Sequence, residues 1–162
     1  MARPQIRAPS GRSASPILPA SPTPWTTDTL LRGALPLRQP ARGHRVNLDA
    51  VLLAAFAATC RPRPAARCGV PFPRAADLGA GTGAVALLLH RARILERALL
   101  VEAEPSLAEL ARSNAEANGL PDSLDVLCAD LREPPPAGWR GCCDLVVANP
   151  PYQALGAGKP SP

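Results

Sequence analysis

An Asn-Pro-Pro-Tyr sequence at residues 149–152 combines hydrogen-bond acceptors with a stiff backbone. The Asn149 side-chain oxygen and the Pro150 carbonyl can together accept both hydrogens of a planar NH2 group. Proline restricts the backbone, so these acceptors are fixed in direction. Such a grip orients the nitrogen lone pair and stabilises positive charge that develops on nitrogen. Tyr152 offers a ring on which a flipped-out base can stack. The predicted catalytic residues are Asn149, Pro150, Pro151 and Tyr152.

A glycine-rich turn occupies residues 77–83, with the sequence Asp-Leu-Gly-Ala-Gly-Thr-Gly. Glycine permits a tight turn and lets a ligand lie against the bare backbone, while the helix that follows presents N–H groups. A dinucleotide pyrophosphate is one candidate ligand. Asp77 would repel a phosphate but suits an ammonium group, such as that of S-adenosylmethionine. The predicted cofactor-binding residues of this turn are Asp77, Gly79, Gly81 and Gly83.

Two further acids follow predicted strands. Glu102 ends a strand nineteen residues after Gly83, where a carboxylate can accept from both hydroxyls of a ribose. Asp130 lies just past the next strand and can accept from an adenine amino group. Both acids indicate nucleoside binding, and Glu102 fits a dinucleotide equally well.

The elements that must position these residues alternate between strands and helices. The predicted strands are 35–40, 75–78, 98–101, 124–128 and 144–148, and the predicted helices are 48–58, 84–93 and 106–118. The first strand contains prolines and is predicted at an edge. The first helix begins after the N-cap Asn47 and is apolar on most sides, so we expect it to be buried. The later alternation predicts an α/β fold with a parallel sheet, helices on both faces and all motifs at one edge.

Composition divides the chain into two parts. Residues 1–24 are rich in Pro, Ser and Arg and are predicted to be a disordered basic arm, whereas residues 25–162 form the predicted domain. Residues 1–48 contain seven arginines and a single acid, Asp28, so this region can attract nucleic acid or serve only as a solubilising tail. The five cysteines lack metal-ligand spacing and no secretion signal precedes them, so we predict no metal and a cytoplasmic location. No apolar run is long enough to predict a membrane span.

In this order the motifs resemble the class I S-adenosylmethionine-dependent methyltransferases that modify amino groups. The segment from Gln39 to Ala54, with Gly43, Arg45 and Asp49, resembles the region before the glycine turn in bacterial tRNA N6-adenine methyltransferases. The resemblance implies a Rossmann-like sheet of seven strands, of which about four are present here. It also implies S-adenosylmethionine as the cofactor, with Arg45 and Asp49 near its methionine end. Transfer RNA or another nucleic acid is the implied partner.

Several alternatives remain open. The same motifs would serve a DNA adenine or a protein glutamine amide, since each presents a planar NH2 group. An NAD-dependent oxidoreductase shares the glycine turn and Glu102 but leaves residues 149–152 unexplained. A fragment that binds nucleotide without catalysis is a third class. The strand at 144–148 is central in the resembled fold; as an unpaired edge it would make the chain poorly stable. The oligomeric state is not determined by the sequence.

Overall fold

The computed structural model describes residues 24–43, 45–60 and 72–150. The strands are β1 (Trp25–Leu30), β2 (Leu35–Pro40), β3 (Phe72–Leu78), β4 (Leu95–Glu102), β5 (Leu124–Cys128) and β6 (Leu145–Ala148). The helices are α1 (Leu48–Thr59), α2 (Ala84–Arg91) and α3 (Pro105–Ala117), with 3-10 turns at Leu31–Gly33 and Ala137–Trp139. Apart from Pro24, the predicted arm lies outside the described residues, as do Pro151 and Tyr152.

A parallel sheet with the strand order β5-β4-β3-β6 forms the centre of the molecule. The four parallel strands predicted from the sequence are therefore confirmed. Helix α2 connects β3 to β4 and helix α3 connects β4 to β5. Because the chain moves in one direction across the sheet in both steps, right-handed crossovers place these helices on the same face.

Different parts of the chain pack against the two faces of the sheet. Register aligns Ala75, Ala98, Leu124 and Leu145 in one row, which lies in the core shared with all three α-helices. Side chains alternate along a strand, so the neighbouring residues form the second face. In the described part of the chain, residues 129–143 cover that face with only the 3-10 turn at Ala137–Trp139. Within the described residues the three α-helices therefore lie on the first face, and the chain returns from β5 to β6 by an extended crossover on the second face.

Helix α1 begins where the sequence predicts. The Asn47 side chain accepts a hydrogen bond from the Asp49 N–H at 3.1 Å, as an N-cap residue does. The expectation that the helix is buried on most sides is wrong. Its buried residues are the alanines Ala50, Ala54 and Ala57, whereas its exposed residues include Leu48, Leu52 and Phe56.

Strands β1 and β2 form an antiparallel hairpin separate from the main sheet. The edge strand predicted at 35–40 is β2, and its Leu35 and Leu37 side chains are buried in the main core. The hairpin lies against α3, where the Asn118 side chain donates to the Pro36 carbonyl at 2.9 Å.

No helix in the described ranges is long and apolar enough to cross a membrane. The same ranges contain no group of three or more His, Cys, Asp or Glu side chains arranged to hold a metal ion.

Candidate functional site

The glycine turn leads from the end of β3 into α2. Gly79, Gly81 and Gly83 have φ angles of 70°, 56° and 80°, which disfavour any residue with a Cβ atom. At Gly83 an added Cβ would also lie 2.9 Å from the Leu100 side chain. At Gly79 and Gly81 it would meet no atom within 4 Å, so the bare backbone there borders open space. The turn is therefore closed on its inner side and accessible on its outer side.

Glu102 holds the turn to the neighbouring strand. Its side chain lies at the carboxyl end of β4, where one oxygen accepts from the Gly81 N–H at 2.8 Å and the other from the Glu104 N–H at 2.8 Å. Each carboxylate oxygen has a second lone pair. The carboxylate can therefore accept ligand hydroxyls without releasing the turn.

Asp77 lies beneath the turn and is only 2% exposed. Burial raises its pKa to about 7, against a hydrogen bond from the Ala86 N–H that lowers it, while the nearby Glu102 charge raises it further. Its Oδ2 atom and the buried Thr82 hydroxyl find no hydrogen-bond partner within the described residues. A cation at the turn would stabilise the charged form of this carboxyl group.

Asn149 meets the glycine turn across a small cavity of about 40 Å³. The cavity wall includes Gly81 and Thr82 from the turn, Asn149 from the end of β6, and Arg45 and Asn47 from the segment before α1. Strands β3 and β6 are direct neighbours, so their carboxyl ends carry the two motifs to the same edge. Pro150, the next residue, is exposed.

Arg45 and Asp49 are engaged in local contacts. The Arg45 guanidinium donates to the Pro40 carbonyl at 2.8 Å, to the Thr26 hydroxyl at 3.1 Å and to the Asp28 carboxylate. Asp49 accepts from the Asn47 side chain at 2.9 Å. Arg45 lines the small cavity, while Asn47 rather than Asp49 is the cavity residue at the helix start.

Asp130 is paired with a neighbouring arginine. Its two oxygens accept from the Arg132 guanidinium at 2.6–3.1 Å, and this pairing lowers the pKa of Asp130 to about 2. Asp130 also lines a larger apolar cavity of about 490 Å³ beside Ala129 and Leu131, between the second face of the sheet and the crossover. The residue lies at the predicted edge, but a ligand amino group would share the carboxylate with Arg132.

The residues present suit the implied cofactor, S-adenosylmethionine. The turn offers open backbone, Glu102 offers acceptors for hydroxyl groups, and Asp77 offers a negative charge that a ligand ammonium can stabilise. Sequence reasoning missed three residues near this site, namely Asn47, Thr82 and Asn114. Asn47 was predicted only as an N-cap residue, and Thr82 lies within the recognised glycine turn, so both could have been included. No sequence signal distinguishes Asn114 from a surface asparagine of α3.

Comparison with protein families matches residues 67–160 to the family described as "Methyltransferase small domain". The chain is 44% identical over 82 residues to a release factor glutamine methyltransferase from Mycolicibacterium smegmatis, covering 50% of this chain and 28% of that protein. It is 34% identical over 110 residues to a tRNA1(Val) (adenine(37)-N6)-methyltransferase from Porphyromonas gingivalis, covering 67% of this chain and 41% of that protein. The chain thus spans less than half the length of either relative.

Among solved structures, the fold is similar to that of TYW2 from Pyrococcus horikoshii in complex with MeSAdo. The TM-score is 0.54 at 17% identity, covering 71% of this chain and 39% of the other. A second protein from the same organism gives a TM-score of 0.52 at 16% identity, covering 69% of this chain and 38% of the other. At these identities the likeness concerns the fold, and it agrees with the Rossmann-like architecture predicted from the sequence.

Proposed function

The chain belongs to the methyltransferase small domain family, and on that premise we propose that it binds S-adenosylmethionine and methylates a planar NH2 group. The observation that carries the proposal is the cavity shared by Asn149 and the glycine turn. A methyl donor on the turn and an amine held by Asn149 would meet there.

The cofactor side of the proposal rests on the ends of β3, β4 and β5. Gly79, Gly81 and Gly83 would lie along the methionyl and ribose parts, and Glu102 would accept from the ribose hydroxyls. Asp130 would contact the adenine amino group together with Arg132. The small cavity is far too narrow for a whole nucleoside, so it would receive only the methionine end. Asp77 beneath the turn and Arg45 in the cavity wall would complete that end.

The chemical side of the proposal rests on Asn149 and Pro150. When bound, the cofactor supplies an electrophilic methyl group on a positively charged sulfur. The Asn149 side-chain oxygen and the Pro150 carbonyl would accept the two amine hydrogens and hold the nitrogen lone pair toward that methyl group. As nitrogen gains positive charge, these two oxygens would stabilise it. Tyr152 is proposed to stack on the ring of the acceptor.

We propose N6 of adenine in tRNA as the acceptor. The similarity to the tRNA1(Val) methyltransferase extends over 110 residues, and residues 1–48 are strongly basic. A protein glutamine amide is the second candidate, favoured by the higher identity to the release factor methyltransferase over a shorter segment. Both acceptors present the same planar NH2 group, so Asn149 has one role in either case.

Radiolabelled methyl transfer tests the proposal. The 162-residue chain would be incubated with tritiated S-adenosylmethionine and, in separate reactions, with bulk bacterial tRNA, an adenine-containing DNA duplex or a bacterial release factor. We expect label in tRNA. The rate of methyl transfer should fall about 100-fold in Asn149→Ala, because one of the two hydrogen-bond acceptors for the amine is removed. The matched control Asn118→Ala changes the asparagine that caps the end of α3, which lies outside the cavity.

Ligand titration separates this proposal from the competing classes. We expect saturable binding of S-adenosylhomocysteine and none of NADH, and Asn149→Ala should bind the former as the wild type does. Binding of NADH alone would contradict the proposed cofactor. Equal label from wild type and Asn149→Ala would remove Asn149 from its role, and label in the release factor alone would identify glutamine as the acceptor.

A further inference from the structure

Asn114 is a completely buried polar side chain in the middle of α3, with an exposed fraction of 0%. Its side-chain amide uses both donor hydrogens and its oxygen. The nitrogen donates to the Arg38 carbonyl at 2.9 Å and to the Thr82 carbonyl at 2.9 Å. The oxygen accepts from the Arg38 N–H at 2.7 Å. A buried amide that makes all of these bonds is costly to replace, because its partners would be left unpaired.

The amide joins two parts of the molecule that are far apart in sequence. Toward the hairpin, it bonds both backbone groups of Arg38, as a neighbouring strand would. Strand β2 has β1 on its other side, where Arg38 is opposite Thr27. The Asn114 amide therefore takes the place of one residue of a third strand next to β2. Toward the sheet, it holds the carbonyl of Thr82 inside the glycine turn.

The glycine turn also packs against this part of α3. An added Cβ at Gly83 would lie 3.6 Å from the Ala111 side chain, which is one helical turn before Asn114. The turn therefore rests on a small residue of α3 and is bonded by the next buried residue on that face. The position of the glycine turn is therefore fixed by α3 on one side and by the Glu102 carboxylate on the other.

The hairpin in turn carries the opposite wall of the small cavity. Gln39, which follows Arg38 in β2, accepts from the Val46 N–H at 2.7 Å and donates to Asp28 at 2.7 Å. Arg45 bonds the Pro40 carbonyl at the end of the same strand. These contacts fix the segment that supplies Arg45, Val46 and Asn47 to the cavity.

We propose, on the premise that the cofactor binds at the glycine turn, that Asn114 is a positioning residue for the cofactor site. One side-chain amide holds the two walls of the cavity at a fixed separation, although it contacts neither cofactor nor substrate. Loss of the amide frees the Thr82 carbonyl and loosens the hairpin, so cofactor affinity falls by more than the loss of fold stability explains.

Asn118 provides a matched control for this inference. It lies four residues later, at the cap that ends α3, and its side chain also donates to the hairpin, at the Pro36 carbonyl, and to the Asn114 carbonyl at 2.8 Å. It makes no hydrogen bond to the glycine turn. Asn118→Ala therefore weakens the attachment of the hairpin to α3 and leaves the bond to Thr82 in place.

The test compares the wild type, Asn114→Ala, Asn114→Ser and Asn118→Ala by calorimetric titration with S-adenosylhomocysteine. Urea unfolding and circular dichroism give the stability and folding of each protein. We expect the Kd to rise about tenfold in both Asn114 variants, equivalent to about 1.4 kcal/mol, because the two walls of the cavity would no longer be held at a fixed separation. The Kd should stay within about twofold in Asn118→Ala. Hydrogen exchange should accelerate at Gly81, Thr82 and Gly83 in the Asn114 variants alone.

The outcomes distinguish this inference from the proposed function. A wild type that fails to bind S-adenosylhomocysteine overturns the proposed function. A wild type that binds, with Asn114 variants within twofold of it, overturns the inference alone. The inference is also overturned if Asn118→Ala loses affinity equally, or if neither Asn114 variant folds, because Asn114 would then serve the fold in general.

Discussion

At the scale of single residues, Gly83 shows why the third glycine of the turn cannot be replaced. Alanine there would adopt a φ of 80° and place its Cβ 2.9 Å from the Leu100 side chain. We expect Gly83→Ala to lower the free energy of unfolding by roughly 2–4 kcal/mol, from backbone strain and overpacking together. Urea unfolding measures this loss. The control Gly138→Ala, whose added Cβ would meet no atom within 4 Å, should change little; equal losses in both variants would contradict the assignment.

Asp77 makes stability depend on pH. In the folded protein its pKa is raised from 3.8 to about 7, mainly by burial. Between these values the unfolded chain releases the proton while the folded protein keeps it. The free energy of unfolding should therefore fall as pH rises from about 4 to 7, at about 1.4 kcal/mol per pH unit from this group alone.

The substitution Asp77→Asn isolates that contribution from other titrating groups. Asparagine stays neutral, so the stability of the variant relative to wild type should increase steadily between pH 4 and pH 7. Urea unfolding of both proteins at several pH values measures the difference. Parallel pH profiles would mean that Asp77 is already charged in the folded protein.

The sequence allowed the main positions of the candidate site to be predicted because each follows a strand in a parallel sheet. The structure places the glycine turn, Glu102 and Asn149 at one edge, as that rule requires. The position of a residue after a strand does not predict the hydrogen-bond partners of its side chain. Asp130 pairs with Arg132, two residues along the chain, and Asn114 bonds the backbone of two distant segments. Such contacts depend on packing that residue spacing does not encode.

At the scale of elements, α1 buries small residues and exposes large apolar ones, whereas most surface helices bury their large apolar residues. Three of its alanines, Ala50, Ala54 and Ala57, face the core and pack beside α2, whereas Phe56 is 68% exposed. Small residues allow two helices to approach closely, which explains why alanine occupies the buried side. The sequence could not separate these sides because both are apolar. Similarly, β1 was not predicted, since its mostly exposed Trp-Thr-Thr-Asp-Thr-Leu sequence carries little apolar pattern.

Substitutions on the two sides of α1 should differ in their effect on stability. We expect Phe56→Gln and Leu52→Gln to change the free energy of unfolding by no more than about 0.5 kcal/mol, because both side chains are exposed. Ala54→Leu should cost about 1–3 kcal/mol by overpacking the buried side. Binding of an anilinonaphthalene sulfonate dye should fall in the glutamine variants. A large loss of stability in Phe56→Gln would show that this side is covered.

At the scale of the whole molecule, β6 is the least protected part of the sheet. Within the described residues it pairs only with β3, and Val146 on the second face is 57% exposed. An apolar strand with one free edge is a template for pairing with another chain. That an edge position for this strand lowers stability therefore stays a prediction.

The 162-residue chain should therefore self-associate, and a charge on β6 should oppose this. Lysine at an edge strand disfavours pairing because the charge must stay hydrated. We expect Val146→Lys to shift sedimentation velocity profiles toward the monomer, while Leu31→Lys, at the exposed tip of the hairpin, leaves them unchanged. If both variants remain as associated as wild type, the free edge of β6 is not the contact surface. If the wild type is monomeric and unfolds in one sharp transition, the four strands form a stable sheet without further partners.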